Sequence, residues 1–178
     1  MAHQGGSGFE PRQLGRTMMM VGPLGISASY GVSAAGVERA FEAGINYVYW
    51  GTLRTAAFAE GIRHLAPERD RMVLVVQSYH RLASGITRSV ERALRKLGTD
   101  YANVLLLGFR NKPISPGIRA ACHALRERGL VRHIALSTHN RPLVAELVRD
   151  ADIEIFHLRY NAVHTGAERD VFAHLPAE

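Results

Sequence analysis

The side chains in this sequence with the capacity for proton chemistry are a few tyrosines and histidines set among many arginines. Tyr49, Arg54, Tyr79, His80 and His139 are the candidates. A phenol or an imidazole can pass a proton near neutrality, whereas a guanidinium, with a pKa above about 12, cannot. His139 follows Ser137-Thr138 at the end of a strand-like run, a place where parallel-sheet proteins hold ligands. A lone histidine more commonly serves a helix surface or a cap, and that role competes with catalysis for each of them. His157 and His164 are seven positions apart with no third partner nearby, so no metal site is expected. The single cysteine, Cys122, sits in the helical run Ala120–Leu125 and reads as a small buried hydrophobe. It cannot form an internal disulfide, and neither a GxGxxG nor a Walker A pattern occurs.

These candidates need elements to position them. The chain has 178 residues, 47% of them apolar, enough for one sizeable core. Basic residues outnumber acidic ones by 22 to 16, and all but Lys96 and Lys112 are arginine. They are scattered, without a basic tail, so no nucleic-acid partner is expected. No apolar run nears the roughly 20 residues of a membrane span, and the N-terminus lacks a secretory pattern, so no membrane association and a cytoplasmic location are expected. Residues 1–13 read as a flexible, Gly-rich lead.

From Leu14 onward short β-rich runs alternate with amphipathic helices. Strands are expected at Pro23–Ile26, Ile45–Tyr49, Met72–Val76, Val104–Leu107, His133–Leu136 and Ile153–Phe156. Helices are expected at Ser33–Glu42, Thr52–Leu65, Thr87–Leu97, Ser115 to about Arg128, Arg141–Arg149 and Ala167–Leu175. The apolar run Met72–Val76 suits a strand covered on both faces. Six βα units imply a parallel sheet, either doubly wound or part of a barrel.

Five stretches, in order, resemble the aldo-keto reductases. They are Leu14–Thr17 with Val21–Gly25, Phe41–Tyr47, Leu94–Tyr101, Gly129–Ser137 and Tyr160–His164, the last resembling the branch with ferredoxin-like tails. The resemblance spans roughly residues 14 to 175 and implies a (β/α)8 TIM-barrel fold, incomplete at about six βα units, with residues 14–178 as one domain. Such barrels typically need about 250 residues. Two open sheet edges would favour self-association.

The resemblance also implies a site. The family works with an Asp, a Tyr as general acid, a Lys and a His; the matching positions here hold Tyr49, Arg54, Gln77 and Gly108. No catalytic residue is therefore assigned. The family's contacts to the nicotinamide amide fall on Ser137, Thr138 and His157. An NADP cofactor is expected to bind weakly or not at all, and a small-molecule ligand stays open. The resemblance thus implies a barrel without the family's tetrad, in a non-catalytic binding or structural role. The alternative is a divergent NAD(P)-dependent oxidoreductase acting on carbonyls.

Overall fold

The computed structural model describes residues 10–51 and 53–175. Six parallel strands run in sequence order: β3 (Gly25–Ser27), β4 (Tyr47–Trp50), β5 (Val73–Ser78), β6 (Ala102–Leu107), β7 (Val131–Ser137) and β8 (Ile155–His157). Ahead of them β1 (Arg12–Gln13) and β2 (Met20–Val21) form a small antiparallel hairpin. The helices are α1 (Ala34–Glu42), α2 (Ala56–His64), α3 (Ala83–Leu97), α4 (Pro116–Glu127), α5 (Arg141–Leu147) and the short α6 (Ala167–Asp170).

The sheet is a curled half-barrel. The second and sixth strands of a flat sheet would lie roughly 19 Å apart, at about 4.8 Å per strand. Here the Tyr47 hydroxyl on β4 is 2.8 Å from Nε2 of His157 on β8. Side chains alone cannot bridge that gap, so the strands bend round until the concave face nearly meets itself.

The residue pattern accounts for the two layers. Every residue of β5 and β6 is buried, as expected for strands covered on both sides. Alternate residues Val73, Val75, Val104, Leu106, Ala135 and Ile155 fill the concave face with Tyr47 and Tyr49. The intervening set, including Leu74, Val76, Leu105, Leu107, Ile134 and Leu136, packs outward against Phe58, Ile62, Val90, Leu94, Ile118 and Leu125 of the helices. Leu14, Met19 and Val21 of the hairpin segment close the floor of the concave face.

Four of the five stretches that resemble the reductases fasten that floor. Asn46 accepts from the Gly22 amide (3.0 Å) and donates to the Met20 carbonyl (2.8 Å), tying the hairpin to the sheet. Gly98 ends α3 in the left-handed region (φ 65°), which glycine adopts without Cβ strain. Thr99 and Tyr101 then receive Arg69, which donates to Thr99 Oγ1 and to the Tyr101 carbonyl. The Tyr101 ring is stacked between Arg69 and Arg132, 3.9 and 4.0 Å from its centroid. On the far side Arg16 donates to the carbonyls of Asp150 (2.6 Å) and Ile153 (3.1 Å), just before β8.

Three helix boundaries differ by four or more residues from the sequence expectation. α2 starts at Ala56 rather than Thr52, because Arg54 takes a positive φ (40°) that a right-handed helix excludes. α3 starts at Ala83 rather than Thr87, and Gly85 inside it lets His80 approach; a Cβ there would lie 2.8 Å from His80 Nδ1. The last helix stops at Asp170, since Val171 leaves helical geometry and only a 3-10 turn, Phe172–His174, follows.

α1 and α2 touch through another glycine. A Cβ on Gly61 would stand 2.7 Å from Val37 Cβ and 2.8 Å from the Ala34 carbonyl oxygen. Gly61→Ala would ordinarily gain about 1 kcal/mol of helix propensity. Here crowding dominates, and the variant is expected to lose about 1–3 kcal/mol. Urea denaturation of the two proteins checks this; a variant as stable as the parent refutes it.

Candidate functional site

The strands all point their C-terminal ends to one face, and the loops after them carry the candidate residues. Tyr49 sits on β4 with its side chain on the concave face beside Tyr47, two residues earlier on the same side. Its hydroxyl donates to Oε1 of Gln77, near the end of β5. Gly108 follows β6. A Cβ there would be 2.6 Å from Gln77 Nε2 and 2.7 Å from the Tyr79 ring, so the space above Gly108 is already filled by those two side chains.

Arg54 does not point to the barrel centre. Its guanidinium lies 5.1 Å from the Trp50 ring centroid, and its Nη2 donates to the Gln77 carbonyl and to Ser89 Oγ (3.2 Å) of α3. Trp50 and Ser89 belong to the layer between sheet and helices, so Arg54 leaves through the rim. Burial lowers its pKa from the ordinary value, with Tyr49 opposing and Arg92 adding to the effect. It stays a cation at neutral pH and cannot serve as an acid.

Ser137 and Thr138 end β7, and Ser137 is the register partner of His157 on β8. The structure therefore brings these three residues together. Their polar atoms are largely engaged. Thr138 Oγ1 bonds Asn111 Oδ1 (3.2 Å) and accepts from the Asn140 amide (2.9 Å), and the residue is buried. His157 Nε2 meets the Tyr47 hydroxyl, and the Tyr49 ring lies edge-on at 6.0 Å. Burial disfavours the imidazolium and pushes the His157 pKa down to about 4. Burial also raises the Tyr47 phenol well above its usual range, with Tyr49 adding to it. At neutral pH the neutral ring thus accepts from Tyr47 when its own proton sits on Nδ1.

His139 stacks on Phe109 (5.3 Å, 26°), and Phe109 stacks on Tyr79 (5.8 Å, 16°), giving three rings in a row at the mouth. His80 lies beside Gly85, and its carbonyl accepts from buried Arg110. His164 only closes a local turn with Asn161. Cys122 is buried in α4, and burial pushes its thiol up to about 11. Tyr47 was hidden from sequence reading inside a strand; its two-residue spacing from Tyr49 was the available signal. Among the described residues no group of three or more His, Cys, Asp or Glu could hold a metal, and no helix is long and apolar enough to cross a membrane.

The model of the aldo/keto reductase family matches residues 18–177, most of the chain. The chain belongs to the aldo/keto reductase family. Comparison with curated proteins finds no match. Among solved structures, the apo form of an aldo-keto reductase from Bacillus halodurans superposes with a TM-score of 0.75 at 21% identity, covering 93% of this chain and 60% of that one. An aldo-keto reductase from Klebsiella pneumoniae in complex with NADPH gives 0.79 at 21% identity, covering 94% and 66%. One from the same organism in complex with NADP and acetate gives 0.75 at 23%, with the same coverage. The likeness is one of fold. This aldo/keto reductase chain spans 58% of the holo Bacillus halodurans chain. Its six parallel strands make a half-barrel rather than a closed eight-stranded one.

Proposed function

We propose that this chain is a reductase-type half-barrel that binds a ligand at its mouth without carrying out the family's acid-assisted carbonyl reduction. One observation carries this. The place where a proton donor would meet a carbonyl holds Tyr49 bonded to Gln77, with Gln77 and Tyr79 packed over Gly108 and Arg54 turned out through the rim. General acid work needs a donor within hydrogen-bond reach of the substrate oxygen, tuned toward neutral pH. The phenols there are Tyr49 and Tyr79, and the positions matched to the family's Asp and Lys hold Tyr49 and Gln77, neither a carboxylate nor an amine.

A divergent NAD(P)-dependent oxidoreductase acting on carbonyls is the alternative. The comparisons favour it, through the family match and the fold shared with proteins in complex with NADP and NADPH. In that case Ser137, Thr138 and His157 would face the nicotinamide amide, with Tyr47 released from His157. The outer edges of β3 and β8, which have no strand neighbour among the described residues, are where a second copy would pair.

Titration with NADP and NADPH, followed by fluorescence of the sole tryptophan, Trp50, separates the two. Weak binding, or none, is expected. Saturation in the micromolar range that is lost in Ser137→Ala and His157→Leu would establish the alternative.

A further inference from the structure

The fold sorts a charge pattern that looks random along the chain. The loops that follow the six strands, residues 28–33, 51–55, 79–82, 108–115, 138–140 and 158–166, contain no Asp or Glu. They hold Arg54, Arg81, Arg110, Lys112 and Arg159, with His80, His139 and His164. The acids gather at the opposite end and on the helices. Glu68, Asp70, Asp100, Asp150, Asp152 and Glu154 all lie in segments leading into strands. The floor cations are matched there: Arg119 pairs with Asp150 (2.8 Å) and Asp152, and Arg126 with Glu154. The mouth cations have no such partners. Among the described residues no ion pair involves Arg54, Arg81 or Arg110.

Arg54 lines a cavity. A pocket of about 320 Å³ is bounded by Gly51, Arg54, Gln77, Tyr79, His80 and Ser89. Both named bonds of Arg54 use Nη2, so its fork is committed on one side only. Its backbone is held at φ 40°, a region that non-glycine residues visit rarely and that recurs where a side chain is being aimed. A desolvated cation without a carboxylate costs free energy that an incoming anion would recover. Guanidinium pairs with planar oxyanions through two parallel N–H···O bonds.

We propose that this rim pocket is a binding site for a small oxyanion, a carboxylate or phosphate group, with Arg54 as its anchor and Ser89 and His80 on its walls. The pocket lies at the rim between β5 and α3; it shares Gln77 and Tyr79 with the mouth but is lined by none of Ser137, Thr138 and His157, so the site does not require a nicotinamide cofactor bound there.

Trp50 fluorescence reads the site directly, because the Arg54 guanidinium lies over its ring. The protein is titrated with inorganic phosphate and with acetate at constant ionic strength, chloride serving as balance. A saturable change with either anion is expected; response to phosphate alone assigns a phosphate-bearing ligand, response to acetate alone a carboxylate. Arg54→Gln is expected to weaken binding about 10-fold or more, the loss of one charged hydrogen-bond pair. Arg54→Lys should retain part of it. Ser89→Glu, which puts a carboxylate beside Arg54, should abolish it while keeping the arginine and its packing. No saturable change with either anion overturns the proposal, and so does undiminished binding in Ser89→Glu. Should Arg54→Gln fail to fold, by circular dichroism, Ser89→Glu and Arg54→Lys decide. NADPH titrations of the same variants are expected to match the parent's, so failure here and failure of the functional proposal remain distinct results.

Discussion

NADPH consumption with a broad panel of simple aldehydes is expected to stay at background. Turnover by enzymes of ordinary efficiency starts at about 1 per second. General acid catalysis alone is typically worth about 10² to 10⁴ of that rate. The positions matched to the family's tetrad hold Tyr49, Arg54, Gln77 and Gly108, and on the proposed reading they supply no general acid of the family's kind. Restoring Asp, Tyr, Lys and His together at these positions is also expected to fail. Gly108→His must place a Cβ where Gln77 and Tyr79 already stand, and Arg54→Tyr removes the guanidinium bridging Gln77 to Ser89. Misplacement by 1 Å in a reacting group can cost about 100-fold. The assay runs parent and quadruple variant side by side, with cofactor binding measured in parallel. Turnover near about 1 per second by the parent would overturn the non-catalytic reading and place the acid among Tyr49, Tyr79 and His139.

Acid should weaken the fold through His157. The folded imidazole titrates at about 4, against 6.5 in its ordinary state. The unfolded chain therefore binds more protons between those values, and stability falls as pH drops through that window. The contribution is complete above about pH 6.5 and largely gone near pH 4, with a span of about 3 kcal/mol. Asp150, held down to about 2 by Arg119, acts in a lower window and does not confuse the measurement. His157→Gln keeps an acceptor for the Tyr47 hydroxyl but cannot take up a proton. Its urea midpoint should change little between pH 6.5 and 4.5, while the parent's falls. Equal slopes in the two proteins would exclude His157 as the source.

What the sequence revealed follows from where its signals came from. The six strands and their order were legible because alternating and continuous apolar runs report burial, as at Val73–Val76 and Val104–Leu107. The family resemblance was legible because Asn46, Gly98, Thr99 and Tyr101 have local jobs in the floor that few other residues can do. The mouth was harder. Arg54 could be placed at a family position by spacing, yet its turn through the rim depends on a positive φ and on Ser89, 35 positions away. Tyr47 and His157 are 110 positions apart, and only the curl of the sheet brings them together. The one-sided sorting of charge was equally hidden, since it exists only once each loop has been assigned to an end.

The two Arg16 bonds to Asp150 and Ile153 span 134 and 137 positions of chain. Arg16 therefore leaves the ribosome well over a hundred residues before the segment that anchors it. Loop closure over such a length is entropically costly and slow to be rewarded. Until the segment before β8 arrives, Leu14, Met19 and Val21 have their apolar surface only partly covered. Completion of the floor thus waits on that segment, and until it arrives the nascent chain carries an apolar hairpin that is only partly covered.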